Sequence, residues 1–313
     1  MIKRTLYFGN PTYLSLRNKQ LVIKMPEVES NSGLAECIKE EAVITKPIED
    51  IGVVVLDNKR ITLTTGVMDA LLANNCALII CDDRGMPVGL MLPLCGNTTQ
   101  SERFRQQIEA SQPLKKQLWQ QTVQCKINNQ AAVLQKCRDI EVNCMRVWAK
   151  DVRSGDSDNL EGRAAAYYWK HLFGQYIEGF VRDRDGVSPN NLLNYGYAIL
   201  RAVIARALVS SGLLPTLGVH HHNRYNAYCL ADDIMEPYRP YVDEHVFKLI
   251  QRKGLPNKEL TREWKAELLA IPTLDVVIGG TRSPLMVAAT QTTASLNKCF
   301  SGELRKVVYP EIK

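Results

Sequence analysis

The sequence lacks the features that mark several large classes of protein. Its nine cysteines are odd in number and contain no Cys-x-x-Cys pair, which favours a reducing compartment over a disulfide framework or a zinc knuckle. The N-terminal segment has a positive start but neither an uninterrupted apolar core nor a small-residue cleavage site, so no signal peptide is predicted. Internal repeats and low-complexity tracts are also missing. We therefore expect a globular protein of a reducing, cytosolic compartment.

Long uninterrupted hydrophobic runs are scarce as well. The longest apolar helix candidate, residues 192–209, is interrupted by Asn194, Arg201 and Arg206. These polar groups predict a helix of the protein core and no membrane span. With 313 residues and 45% apolar content, the chain is long enough for one large or two medium domains, and we favour two.

Acidic and basic residues are unevenly distributed along the chain. The formal net charge is +6, yet residues 1–90 contain ten Lys and Arg against eleven Asp and Glu. The whole positive excess therefore lies in residues 91–313. An excess of this kind is compatible with a polyanion partner such as DNA, although many basic proteins bind no nucleic acid.

The hydrophobic period changes near residue 99. Before it, short apolar segments bounded by turns predict strands and one hairpin, with a single helix capped by Thr64 or Thr65; the strand segments are 5–8, 13–16, 21–25, 51–56, 77–81 and 88–92. After it, apolar residues recur at helical spacing over six segments: 99–111, 114–128, 131–149, 160–180, 191–211 and 225–250. The sequence thus predicts an α+β protein.

Domain boundaries follow from the same change of period. We assign residues 1–90 to a β-rich N-terminal domain, residues 91–98 to a linker, and residues 99–313 to a larger, all-α-helical domain. The junction lies in segment 82–98, which contains Gly85, Pro87, Pro93 and Gly96. The last ten residues or so are expected to form a loosely held tail.

Histidine is rare, with five in the chain, but three of them are adjacent. His220, His221 and His222 precede a group of carboxylates, Asp232, Asp233 and Glu236, within sixteen residues. Such a run can be a solvated loop followed by the polar face of a helix. However, the surrounding sequence is largely apolar, and buried carboxylates require partners, of which a bound cation is the simplest.

A metal site would need a further ligand from another element. Glu161 is the best candidate, because small residues follow it and would allow close approach of another group. Its alternative role is compensation of the helix dipole in a first helical turn. Glu236 precedes Pro237, which should end or kink its helix. One imidazole with two carboxylates is an oxygen-rich set, which favours Mg²⁺ or Mn²⁺ over zinc.

Five segments together resemble a known family. YFGNPTYLSLRNKQLVI, LEGRAAAYYW, LNYGYAIL, GLLPTLGVHHHN and LADDIMEPYRPYVD occur in this order. They resemble the CRISPR-associated integrases of spacer acquisition, in their type II form, and they span residues 1–243. The resemblance implies a β-rich N-terminal domain for dimerisation or DNA support, and a helical catalytic domain.

The resemblance also implies a Glu-His-acid metal triad. Glu161 matches the glutamate before the small residues, His221 the histidine three positions after Gly218, and Glu236 the acid before the Pro-x-Arg end of the acidic helix. Many relatives have Asp at this last position. The neighbours His220 and His222 are not expected to be ligands. Asp232 and Asp233 are expected to support the site without binding the metal directly.

The implied activity is phosphoryl transfer on DNA. The 3′-hydroxyl ends of double-stranded spacer precursors would attack phosphodiesters at a CRISPR repeat, in an assembly of homodimers with a small second CRISPR adaptation protein. A different hypothesis is a non-catalytic protein that holds DNA in the same assembly. A third is an unrelated metal-dependent phosphohydrolase, which would act on a small substrate without DNA. Metal-dependent strand transfer distinguishes the first from the other two.

Overall fold

The protein forms two compact units in a computed structural model, Met1–Leu94 and Cys95–Lys313. The structure describes residues 3–174, 176–183, 186, 188–256 and 259–313. Strands predominate in the first unit and helices in the second. The predicted α+β class is confirmed.

The N-terminal unit contains two four-stranded sheets. Its elements are β1 (Arg4–Phe8), β2 (Tyr13–Arg17), β3 (Gln20–Lys24), α1 (Pro26–Glu29), α2 (Glu36–Glu41), β4 (Ile44–Pro47), β5 (Ile51–Leu56), β6 (Thr62–Leu63), α3 (Thr65–Ala73), β7 (Ala77–Cys81) and β8 (Pro87–Met91). In one sheet, β1, β5 and β7 are parallel and β8 is antiparallel, in the order β1-β5-β7-β8; the other sheet has the order β4-β3-β2-β6. Strands β4 and β6 and helices α1 and α2 were not predicted.

Local chemistry explains two features that the sequence did predict. Strands β2 and β3 form the expected hairpin, in which Arg17 pairs with Gln20. The two residues between them, Asn18 and Lys19, both have positive φ angles, as a tight hairpin turn requires. Helix α3 begins after Thr64, whose side chain accepts a hydrogen bond from the Val67 amide, so the predicted cap is confirmed.

The C-terminal unit is mainly helical. Its elements are α4 (Gln100–Glu109), α5 (Gln112–Arg138), α6 (Asn143–Asp151), α7 (Leu160–Leu172), α8 (Asn190–Ser210), α9 (Cys229–Met235), α10 (Arg239–Lys253), α11 (Arg262–Leu268), β9 (Asp275–Ile278), β10 (Thr281–Pro284), α12 (Leu285–Phe300) and β11 (Pro310–Glu311). The three strands form a small antiparallel sheet that the sequence analysis did not predict.

Several predicted helix boundaries were wrong. Helix α5 runs without a break through the expected gap between residues 128 and 131, and it ends where Asp139 adopts a left-handed conformation. Helix α7 ends at Leu172, eight residues before the predicted end; Gln175, within the remainder, lies outside the described residues. The predicted helix 225–250 is divided by a 3-10 turn, Glu236–Tyr238, where Pro237 produces the expected interruption.

The C-terminal tail is held firmly, contrary to expectation. Tyr309 is buried and its hydroxyl lies 2.8 Å from that of Thr122. Asn129 of α5 donates to the carbonyls of Pro310 and Pro237 and accepts from the Ile312 amide, at 3.0, 2.8 and 3.0 Å. Strand β11 also pairs with β9. These contacts fasten the tail to α5.

Helix α8 is the described helix that is long and apolar enough to cross a membrane. It has 21 residues, and 78% of its most apolar window is buried within the protein. Its Gly196 lies so close to α10 that an added Cβ atom would come within 2.7 Å of Val242. The helix therefore packs as part of the core of the C-terminal unit, as its interrupting polar residues predicted.

The Asn129 contacts generate a stability prediction. Asn129→Ala would leave two buried carbonyls and one amide without their side-chain partner, so we expect the free energy of unfolding to fall by about 3 kcal/mol. Urea denaturation followed by tryptophan fluorescence measures this, since all four tryptophans lie in the C-terminal unit. Asn128→Ala, at the exposed neighbouring position, is the matched control and should change stability by less than about 0.5 kcal/mol. Equal effects of the two substitutions would contradict the prediction.

Candidate active site

One ammonium group lies between two of the predicted site carboxylates. Lys126 Nζ is 2.5 Å from Glu161 Oε1 and 2.6 Å from Glu236 Oε2. These residues come from α5, from the first turn of α7 and from the turn after α9. Lys126 and Glu236 are more than nine-tenths buried. Burial opposes the charged form of Lys126, but the Glu236 and Glu161 carboxylates outweigh it and raise the pKa of the lysine.

The sequence before α7 fixes the position of Glu161. Asn159 adopts a left-handed conformation and its side chain caps the helix by accepting from the Gly162 amide. The Asp156 carboxylate accepts hydrogen bonds from the amides of Leu160 and Glu161, at 2.9 and 3.0 Å. Two acidic or amide side chains therefore satisfy the amides at the start of the helix. The Glu161 side chain takes no part in this capping, and its carboxylate contacts Lys126.

Two positively charged side chains lie close to the Glu236 carboxylate. Arg239, three residues further on, places its Nε 2.8 Å from Glu236 Oε1. Burial opposes ionisation of Glu236, but Arg239 and Lys126 outweigh it and lower the pKa of this carboxyl. Its Oε2 atom is buried and lies 2.6 Å from Lys126 Nζ. This oxygen therefore already faces a cation, the lysine ammonium.

Asp233 holds residues 219–222, the histidine loop, in place. This carboxylate is fully buried and accepts hydrogen bonds from the amides of Val219, His220 and His221 at 2.7, 2.9 and 3.3 Å. It also lies 2.5 Å from His221 Nδ1. That hydrogen bond raises the pKa of His221 against the effect of burial. Because Nδ1 is engaged, Nε2 is the ring nitrogen left for a ligand.

Gly218 permits this loop to close. A Cβ atom at position 218 would lie 2.3 Å from the His221 carbonyl oxygen and 2.8 Å from Asp233 Oδ2. Any side chain there would therefore displace the loop from the carboxylate that holds it. The Gly-x-x-His spacing is thus a consequence of how closely the chain must turn around Asp233.

The other neighbouring polar residues have different contacts. His220 stacks on Trp119, with ring centroids 4.1 Å apart and planes 2° apart, and burial is the main cause that lowers its pKa. His222 is exposed. Asp232 pairs with Arg201 and Asn226 at 2.6 and 2.7 Å.

The structure brings Glu161 and Glu236 to one cation, and both carboxylates act on His221 by raising its pKa. Across the described part of the chain, no three His, Cys, Asp or Glu side chains lie together at metal-ligand distances. The sequence did not indicate that Lys126 and Arg239 belong to the site. Arg239 could have been suspected, because it follows Glu236 by three residues on a turn.

The sequence of the chain matches a known protein family. The family model described as CRISPR associated protein Cas1 matches residues 6–278. The chain belongs to the Cas1 family. It is 38% identical over 270 residues to a CRISPR-associated endonuclease Cas1 of Neisseria meningitidis, covering 86% of this chain and 83% of that protein. A Cas1 endonuclease of Pyrobaculum aerophilum is 29% identical over 255 residues, covering 78% of this chain and 86% of that protein.

Two solved structures have the same fold as this chain. A casposase bound to its integration product superposes with a TM-score of 0.78 at 20% identity, covering 98% of this chain and 92% of that one. A Cas1 protein from Thermotoga maritima gives 0.71 at 16% identity, with 96% and 98% covered. The predicted family is therefore confirmed, and its type II form agrees with the similarity to the Neisseria protein.

The role of Asp233 can be tested on His221 directly. Asp233→Asn removes the carboxylate whose hydrogen bond and charge raise the pKa of His221, so that pKa should fall. Proton NMR titration of metal-free protein measures it, with the His221 signal identified by His221→Gln. Asp232→Asn is the control, because Asp232 contacts Arg201 and Asn226 and should leave the His221 pKa unchanged. A His221 pKa that falls in Asp232→Asn but not in Asp233→Asn would refute this role of Asp233.

Proposed function

We propose that the protein is a metal-dependent DNA integrase and endonuclease of CRISPR adaptation. Its reaction joins the 3′-hydroxyl ends of double-stranded spacer DNA to a CRISPR repeat by phosphoryl transfer. The hydroxyl oxygen attacks a phosphodiester, a new ester bond forms, and the old bond breaks to release a 3′-hydroxyl. The proton lost by the attacking group is balanced by the proton gained on the released oxygen. With water as the nucleophile, the same site hydrolyses DNA.

The observation that supports this proposal most is the approach of Glu161 and Glu236 to one cation. Lys126 Nζ lies within about 2.6 Å of one oxygen of each carboxylate, so this position favours a positive charge. Glu236 Oε2 is buried and its close neighbour is the Lys126 ammonium, which suits an oxygen that binds a cation. Asp233 leaves Nε2 of His221 for the same purpose. We assign Glu161, His221 and Glu236 as the metal ligands.

The donor set supports Mg²⁺ or Mn²⁺. Carboxylate oxygens suit both ions, whereas zinc prefers nitrogen and sulfur ligands, and none of the three assigned ligands is a cysteine. When bound, the ion polarises the phosphate and stabilises its developing charge. Glu161 and Glu236 fix the position of that charge, and Asp233 keeps the His221 ring in one tautomer and orientation. Lys and Arg of the C-terminal unit neutralise DNA phosphates without reading sequence.

Partners and location follow from the same proposal. A solved structural neighbour is a Cas6-RT-Cas1 protein in complex with Cas2, and another is a Cas1 protein bound to DNA. We propose that this chain likewise binds DNA, forms a homodimer and joins a small second adaptation protein in the prokaryotic cytoplasm. We assign catalysis to residues 99–313, and dimerisation or DNA support to residues 1–90, with residues 91–98 as the linker.

Strand transfer by purified variants tests the proposal. Glu161→Gln, His221→Gln and Glu236→Gln should each lower Mn²⁺-dependent joining of a spacer duplex to repeat DNA by about a thousandfold, because each removes a ligand of the ion that stabilises the transition state. Duplex binding should change little. Glu109→Gln, an exposed acid of the same unit, should retain full activity. EDTA should abolish joining by the parent protein, and added Mn²⁺ should restore it.

Two outcomes would support the rival hypotheses. Retained strand transfer in Glu161→Gln would refute the ligand assignment. DNA binding without any metal-dependent joining by the parent protein would favour the non-catalytic scaffold, and turnover of a small phosphate ester without DNA would favour the phosphohydrolase.

A further inference from the structure

The ammonium of Lys126 lies where the proposed metal has to bind. Its nitrogen is within 2.6 Å of one oxygen from each of two proposed ligands, Glu161 and Glu236. Mg²⁺ approaches carboxylate oxygens to about 2.1 Å. An ammonium group and a divalent ion therefore cannot contact the same two oxygens together. We propose that Lys126 is a resident counter-ion, which holds the site together without metal and turns away when Mg²⁺ or Mn²⁺ binds. This inference rests on the proposed metal site.

Electrostatics explains why the metal-free site needs this lysine. Glu236 is 5% exposed, and Glu161 converges on the same point. Two carboxylates so close repel each other, and desolvation adds to the cost of ionising them. With Lys126 and Arg239 present, two positive groups face two negative ones. Addition of a divalent ion reverses this balance, because it repels the ammonium that occupied its position.

The structure also offers a place for the displaced ammonium. Gln130 follows Lys126 by four residues on α5, so the two side chains extend from the same face of the helix. Gln130 is 2% exposed, and its Oε1 atom has no hydrogen-bond partner in the part of the chain that the structure describes. Both residues line a cavity of 210 Å³ beside Glu236 and Arg239. A Lys126 side chain turned away from the carboxylates would donate to Gln130 Oε1 there.

This counter-ion role predicts how metal affinity responds to loss of the lysine. Lys126→Met keeps most of the side-chain volume and removes the charge that competes with the ion. We expect the full-length variant to bind Mn²⁺ about tenfold or more tightly than the parent protein at pH 8, because the competing ammonium is gone. Isothermal titration calorimetry measures this without DNA or turnover. The metal-free variant should also melt at a lower temperature, and Mn²⁺ should raise its Tm more than that of the parent.

A second lysine on the same helix provides the control. Lys136 pairs with Glu244 at 2.7 Å, ten residues from Lys126. Lys136→Met therefore removes one ion pair and one positive charge from α5 at a distance from the site. It should leave Mn²⁺ affinity unchanged within about twofold. Equal tightening by both variants would assign the effect to general charge and would overturn the proposal.

The remaining outcomes separate this inference from the proposed function. If Glu161→Gln abolishes Mn²⁺ binding but Lys126→Met binds with parental or weaker affinity, the metal site stands and the counter-ion role is overturned. If the parent binds no Mn²⁺ that depends on Glu161, both fail. If Lys126→Met does not fold, a crystal structure of the parent with Mn²⁺ decides. Lys126 beside Gln130 supports the role, and Lys126 still in contact with both carboxylates overturns it.

Discussion

The ion pairs of Lys126 are the interaction on which the site depends. They join three segments that are far apart in sequence, since Glu161 is 35 residues from Lys126 and Glu236 is 110 residues from it. Buried carboxylates of this kind are stable only with close positive partners. Removal of one partner would leave an uncompensated charge in the interior, which costs about 3–5 kcal/mol in proteins. The lysine therefore allows Glu161 of α7 and Glu236 of the turn after α9 to lie together against α5.

Helix α5 connects this charge cluster to the rest of the C-terminal unit. Trp119 precedes Lys126 by seven residues, two turns of the helix, and stacks on His220 beside the loop that holds His221. Asn129 follows Lys126 by three residues and binds both the Pro237 carbonyl and the C-terminal tail. A single helix thus contacts the histidine loop, both carboxylates and the tail. Its unbroken length of 27 residues is what allows these contacts to occur together.

Sequence patterns predicted the parts of this structure that local chemistry determines. The hairpin, the Thr64 cap and the interruption at Pro237 each depend on a few adjacent residues. The continuity of α5 was missed because Asn128 and Asn129 resemble a helix end. Asn129 instead has its side chain satisfied by the tail, nearly 200 residues later. The contacts of the C-terminal tail were not predicted either, because their partners are also distant in sequence.

The sequence likewise predicted only part of the site. The sequence identified side chains that the structure groups around one cation, although their metal-binding role stays a prediction. Lys126 gave no signal, because an isolated lysine in an amphipathic helix is usually solvated. Asp233 was expected only to support the site, and its three backbone partners could not be inferred from composition. Contacts made across long sequence separations are thus what a single sequence fails to provide.

Charge balance connects the metal-free site with its proposed reaction. Glu161 and Glu236 face Lys126 and Arg239, so two acidic side chains are matched by two basic ones before an ion binds. A divalent ion held by the two glutamates would add two positive charges to this set and would repel the Lys126 ammonium from the same oxygens. The displaced ammonium would remain in the adjoining cavity with Gln130. The site would then carry an excess of positive charge, which favours binding of a DNA phosphate.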